Sequence, residues 1–165
     1  MDMSSSVFSD DYFFIVGIST LLTSELIDKN YYIVDVEAAN FQQVKKYFFA
    51  DRKVIAFISN DLDYYALKHL PGITFVDKRS RINEILSCLL ANDSRYIYRV
   101  KCPLSVRESE VLSCMQKELD VNEIGKKLGM KVKTVYSHRR RLASKLQVGN
   151  RITLYRNIIR ANLYH

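Results

Sequence analysis

No acidic residue interrupts the stretch from Lys131 to Lys145, although the chain as a whole carries 18 Asp and Glu. Lys131, Lys133, Arg139, Arg140, Arg141 and Lys145 all stand in it. A helix face that merely meets water mixes both signs of charge, so this segment points to an anionic partner. Long apolar runs are also missing. The longest, Phe13 to Leu22, is broken by Ser19 and Thr20 and is about half of what a membrane-crossing helix requires. No membrane partner is therefore expected. Asp2, Asp10 and Asp11 stand where a secretory leader would need basic residues, which points to the cytoplasm. Cysteine is sparse, and Cys88, Cys102 and Cys114 have no metal-ligand spacing and cannot all pair within one chain. They read as small apolar side chains in a reducing compartment, and no metal site is expected.

What is present is unevenly spread. Residues 101–165 hold 14 Lys or Arg against 5 Asp or Glu, a net of +9, whereas residues 1–100 hold 11 against 13, a net of −2. Such asymmetry marks a nucleic-acid-binding module joined to a domain of another kind. The expected division is a domain over 1–91, a linker over 92–103 carrying Arg95, Arg99 and Lys101, and a second domain over 104–165. At 48% hydrophobic residues, each part can bury a core.

In the second domain, Val135, Leu142 and Leu146 fall within about 40° of one another on a helical wheel, a stripe fit for burial. Tyr136, Ser137, Arg140, Arg141 and Ser144 take the opposite side. A preceding helix over about 121–128 carries Val121, Ile124 and Leu128 at helical spacing. Gly125 is expected where the two helix axes approach closely, and Gly129 where a left-handed residue ends the helix. Helix, glycine turn, helix is the helix-turn-helix pattern. Ser105 and Glu108 form a capping box that opens an earlier helix with Val111, Leu112 and Met115 on its apolar side. A fourth helix is expected over about 150–163, with Ile152, Tyr155, Ile158, Ile159 and Leu163 at helical spacing.

These residues resemble the LuxR/FixJ (NarL-type) helix-turn-helix. Its elements stand here as Leu104, Ser105, Arg107, Glu108; Glu110, Val111, Leu112; Glu123, Ile124, Gly125, Leu128; Thr134, Val135, His138, Arg139; Lys145, Leu146, Val148; and Asn150, Arg151. The resemblance implies a recognition helix in the major groove of duplex DNA. Tyr136, Ser137 and Arg140 are then expected at base edges, with Arg140 suited to a bidentate contact with guanine. Lys131, Lys133, Thr134, His138, Arg141 and Lys145 are expected at phosphates. Lys131 stands where the family has a hydroxyl cap, and Leu119 and Gln147 each replace a customary glycine.

The first domain alternates strands and helices. Strands are expected ending at Val7 and Phe8 and over 31–36, 54–59 and 73–76; helices over 12–26, 41–49, 64–70 and 80–90. The layout argues for a parallel sheet and resembles a shortened response-regulator receiver. The resemblance implies an acidic pair, Asp10 and Asp11, a phosphoacceptor, Asp35, and the supporting Ser59 and Lys78. Too few residues separate Asp11 from Asp35 for a further strand and helix, so the second βα unit is missing and the first strand is left at the edge of the sheet. Mg²⁺ would enter only if that site is active; no other cofactor is expected.

The fold class expected is therefore α/β, a truncated receiver-like parallel sheet, followed by an all-α four-helix helix-turn-helix domain. The expected role is non-enzymatic: a regulator of transcription that binds double-stranded DNA as a homodimer, with Ile152, Tyr155, Ile159 and Leu163 as candidate dimer contacts. A heterodimer with another regulator, contact with RNA polymerase, and phosphorelay through Asp35 are the alternatives weighed beside it.

Overall fold

Four short runs of β-branched and aromatic residues pair in parallel in the computed structural model of the protein, which describes residues 6–22, 31–39 and 52–147. Strands β1 (Val7–Phe8), β2 (Tyr31–Asp35), β3 (Lys53–Ile58) and β4 (Ile73–Asp77) lie side by side in that order. The register places Val7 beside Ile33, Ile33 beside Ile55, and Ala56 beside Phe75. In β3, Val54 to Ile58 are all buried, the continuous apolar run of a strand covered on both faces. The first strand sits at an edge among the described strands, as the shortened receiver requires.

The chain divides into two compact units. The first comprises residues 1–59 and 68–99. Helix α1 (Tyr12–Leu21) packs Ile18 on the sheet residues Ile33, Ile55, Phe57 and Val76. Helix α3 (Ile82–Leu90), numbered after α2 (Asp61–Leu67), adds Ile85, Cys88 and Leu89 to the same core. Phe14 meets Phe57 edge to face at 5.2 Å. Each such buried side chain contributes about 1.5–3 kcal/mol. Cys88 is part of this core, and burial, with a smaller contribution from Asp93, pushes its thiol above the ordinary value. That agrees with a packing role.

Several boundaries move for local reasons. The expected helix over 64–70 instead runs over Asp61–Leu67. Asn60 starts it early by accepting from the Asp63 N–H at 2.9 Å, and Pro71 disfavours helical backbone at Leu70. Helix α3 begins at Ile82 rather than at 80, where the Glu84 carboxylate accepts the Arg81 N–H at 2.8 Å. The helix expected over 41–49 lies outside the described residues.

The second unit comprises residues 60–67 and 100–165, so α2 belongs to it rather than to the N-terminal domain, where the sequence had placed it. The reason is chemical. The Asp61 carboxylate accepts the backbone N–H groups of Lys101 (3.0 Å) and Cys102 (2.8 Å), and the Tyr65 hydroxyl accepts that of Leu104 at 3.2 Å. Leu62 enters the core formed by α4 (Val106–Gln116), α5 (Val121–Leu128) and α6 (Val132–Lys145). Nor is the expected linker over 92–103 a free one. Its first part packs on the first unit, where Tyr98 is buried and donates its N–H to the Phe75 carbonyl at 2.7 Å. The helix expected over 150–163, with Ile152, Tyr155, Ile159 and Leu163, lies outside the described residues. Among the described residues no helix is long and apolar enough to cross a membrane.

Candidate nucleic-acid interface

Local signals set the geometry of the cationic helix. Asp120 caps α5, accepting the Glu123 N–H at 2.8 Å while Glu123 accepts that of Asp120 at 2.7 Å. Gly129 closes α5 in the left-handed conformation, φ 63°. A Cβ on Gly125 would stand 2.8 Å from the Met130 carbonyl oxygen and 4.0 Å from Val135. The crowding that demands glycine comes from the turn's own backbone, not from the crossing helix as the sequence had implied. A tight turn follows, and α6 starts at once.

Within α6, Val135 and Leu142 are buried with Leu146 just beyond, joining Val111, Leu112, Met115 and Ile124. The opposite side is open. Lys131, Lys133, Thr134, Ser137, Arg140 and Arg141 are exposed, and Tyr136 is 54% exposed. The three side chains expected at base edges, Tyr136, Ser137 and Arg140, thus share one accessible face. Ser137 Oγ donates to the Lys133 carbonyl at 3.1 Å, which leaves the hydroxyl oxygen as an outward acceptor. Arg139 lies over the Tyr136 ring at 5.9 Å and steadies it. Lys131 occupies the N-cap without any side-chain cap bond, so its cation opposes the positive end of the helix dipole. Lys126 and Lys127, exposed in the last turn of α5, extend the basic surface; the sequence reading did not single them out, although both stand in plain view there.

Two residues of the expected phosphate set are placed differently from the rest. Lys145 donates to Glu108 Oε2 at 2.7 Å and to the Pro103 carbonyl at 3.3 Å. Glu108 is buried, and the Lys145 ammonium, followed by the Ser105 backbone N–H, holds its carboxyl below the ordinary value. His138 is half-buried, and its Nδ1 has no hydrogen-bond partner among the described residues.

The receiver-like residues come only partly together. Lys78 Nζ lies 2.8 Å from Asp35 Oδ2, although the two are separated by 43 residues in sequence. Ser9 Oγ donates to the same oxygen at 2.9 Å. Asp35 is fully buried, and its Oδ1 has no hydrogen-bond partner among the described residues. Asp11 is the N-cap of α1: Oδ1 accepts from Phe13 and Phe14, and Oδ2 stands 3.9 Å from Lys78. Asp10 is exposed, and the Ser59 hydroxyl is directed at Glu37 Oε2, 3.4 Å away. A receiver fold implies a divalent cation beside its acceptor aspartate, held by several oxygens. Here one acid is taken up as a helix cap and the acceptor's Oδ2 is held by an ammonium and a hydroxyl. No group of His, Cys, Asp and Glu among the described residues has metal-holding geometry. The residues do not fit Mg²⁺. Ser9, which the sequence reading passed over, is the participant it missed.

Residues 102–158 match the profile of the bacterial regulatory proteins of the luxR family. The matched segment includes α4, α5, α6 and the residues expected to meet DNA. Among solved structures, one of two RcsB dimers bound to two parallel DNAs is similar at 21% identity over 93% of this chain and 96% of that one, with a TM-score of 0.51. RcsB from Salmonella enterica serovar Typhimurium, bound to promoter P1flhDC, shares 22% identity over 94% of this chain and 97% of that one, at a TM-score of 0.49. FixJ from B. japonicum shares 15% identity over 96% and 97% of the two chains, at a TM-score of 0.38. No curated protein matches the chain. The first likeness supports the fold, a receiver-like sheet followed by a LuxR-family helix-turn-helix.

Proposed function

We propose that the protein regulates transcription by reading duplex DNA as a homodimer, with α6 lying in the major groove. The observation that carries this reading is the exposed run of Lys131, Lys133, Arg140 and Arg141 over a stripe formed by Val135, Leu142 and Leu146, with no acid along the helix. A neutral or acid-laced helix packs equally well on those apolar contacts; only an anionic partner gives such a face a purpose. Arg140 reads guanine through its guanidinium fork, and Tyr136 and Ser137 add contacts on the same face. Lys131, Lys133, Thr134 and Arg141 grip phosphates and set the register, and His138, at the edge of the face, turns toward the backbone. Lys145 acts one step removed, by fixing α6 to α4 through Glu108. The LuxR-family match over this segment and the DNA-bound state of the RcsB neighbours support the reading.

Selection of bound sites from random duplexes, repeated at more than one salt concentration, tests it. A defined sequence, two half-sites related by symmetry, and affinity falling steeply with salt are expected. Absence of any preferred sequence with the purified chain would contradict it and would favour a heterodimer with another regulator.

A further inference from the structure

Ser137 lies in the first half of α6, exposed on the same side as Arg140. Its Oγ stands 3.1 Å from the Lys133 carbonyl oxygen, one turn back. Two oxygens that close need a hydrogen between them, and because a carbonyl has none to give, the serine supplies it. Turning that hydrogen outward would leave two acceptor oxygens facing each other at the same 3.1 Å. Thr20 makes the same backward bond in α1, to the Val16 carbonyl at 2.7 Å, the usual way in which a hydroxyl inside a helix satisfies its donor. What Ser137 offers outward is lone pairs alone.

The composition of the face supplies a second, independent observation. Lys131, Lys133, Arg140 and Arg141, all exposed, are donors without any acceptor. They suit guanine N7 and O6, thymine O4 and phosphate, whereas a base amine, itself a donor, finds no partner in them. From Lys131 to Lys145 there is no Asp, Glu, Asn or Gln. The exposed side-chain acceptors of α6 are therefore hydroxyls, those of Thr134, Tyr136, Ser137 and Ser144. Ser137 is the member of that set whose hydrogen is committed to Lys133 and which stands less than one turn from Arg140.

We infer that Ser137 is a specificity-determining residue that accepts a hydrogen bond from the exocyclic amine of a base, adenine N6 or cytosine N4, and refuses the keto groups of guanine and thymine at that place. A serine can in general meet either kind of base edge, and the bond to Lys133 removes that freedom. Every base pair shows one amine and one keto group in the major groove. The residue thus reads which strand carries which: adenine or cytosine is accepted on the contacted strand, and guanine or thymine is rejected there. At a rise of 1.5 Å per residue, Ser137 and Arg140 are about 4.5 Å apart along the helix axis. That is close to one base step of about 3.4 Å, so the amine-bearing base adjoins the guanine bound by Arg140. The inference rests on the DNA-reading function proposed above and states the base chemistry that α6 selects.

The test is selection of bound sites from random duplexes by the full chain as wild type and Ser137→Ala, followed by titration of a selected duplex in which purine, which lacks the N6 amine, replaces adenine at the position in question. Ser137 is exposed and alanine is the better helix former, so the variant folds. Wild type is expected to select guanine with adenine or cytosine alike at a neighbouring position, and to bind keto bases there about three- to tenfold more weakly, the net worth of one hydrogen bond. Ser137→Ala should keep the guanine and lose the neighbouring preference. The purine replacement should weaken wild type and leave Ser137→Ala unchanged. A wild type that prefers guanine or thymine at the neighbouring position, or a preference for adenine and cytosine that survives in Ser137→Ala, would overturn the inference while the selected guanine keeps the DNA-reading function standing. Failure of the wild type to select any sequence would overturn both.

Discussion

Lys145 Nζ donates to Glu108 Oε2 at 2.7 Å, tying the last turn of α6 to the first turn of α4 across 37 residues of sequence. Folding lowers the carboxyl's pKa, so the stabilisation from this pair is complete above the ordinary value of 4.5 and is lost as pH falls through the lower folded value. The resistance of the second unit to urea should therefore carry the pair's full contribution, unchanging with pH, near neutrality, and should weaken in that acid window. Lys145→Ala, which strands a buried carboxylate, should destabilise by about 2 kcal/mol, a figure reduced because the lysine is partly exposed. An equal acid sensitivity in Lys145→Ala and wild type would contradict the assignment.

Lys131 supplies a separable test. Replacing it by Ser installs the missing cap on α6 and should raise stability by about 1 kcal/mol. The same change removes one cation from the DNA face and should lower the slope of log affinity against log salt by about one. Calorimetry and salt titrations on one preparation read both effects. A gain in stability without any change in slope would remove Lys131 from the phosphate contacts.

Three non-glycine residues among those described hold the left-handed conformation that favours glycine: Asn92 at φ 51°, which asparagine tolerates, Glu118 at φ 60° and Gln147 at φ 54°. Glu118→Gly and Gln147→Gly should each stabilise by up to about 1 kcal/mol, the relief of the backbone strain less the entropy that glycine loses on folding. Thermal melts of the variants check this. Destabilisation by either would show that its side chain makes a contact worth more than the strain.

Much of the second unit was legible because its signals are local. The Ser105 and Glu108 box, the Val135–Leu142–Leu146 stripe and Gly129 all act within a few residues, and all three stand where the sequence put them. Leu119 was named as the residue in a glycine's place, yet the left-handed residue of that turn is its neighbour Glu118, a displacement that periodicity does not register. Contacts between distant residues were not legible. Asp61 reaches Lys101 across 40 residues and Tyr65 reaches Leu104 across 39, and such pairings, with Leu62 in the helical core, place α2 in the second unit. Glu108 carried two roles, capping α4 and pairing with Lys145, and the sequence displayed the first alone. In the sheet, strand identity followed from β-branched runs, whereas which side chain would cap α1 and which would flank Asp35 depended on a one-residue choice among Ser9, Asp10 and Asp11.

The buried Asp35–Lys78 pair makes a prediction about the first unit. Incubation with acetyl phosphate and Mg²⁺ should leave no adduct on Asp35 by mass spectrometry, because the acids do not gather around a cation. Lys78→Ala should destabilise by about 3 kcal/mol, the low end for breaking a buried pair, since the lysine is itself partly exposed. A stable phosphoryl adduct at Asp35 would contradict this view of the site.

The central claim is that the open face of α6 reads bases. Site selection from random duplexes with wild type, Arg140→Ala and Lys133→Ala tests it most directly. Arg140→Ala should relax preference at one position of each half-site by about 1–3 kcal/mol, while Lys133→Ala should weaken all sequences alike. An unchanged base preference in Arg140→Ala, with the protein folded and bound, would contradict the account.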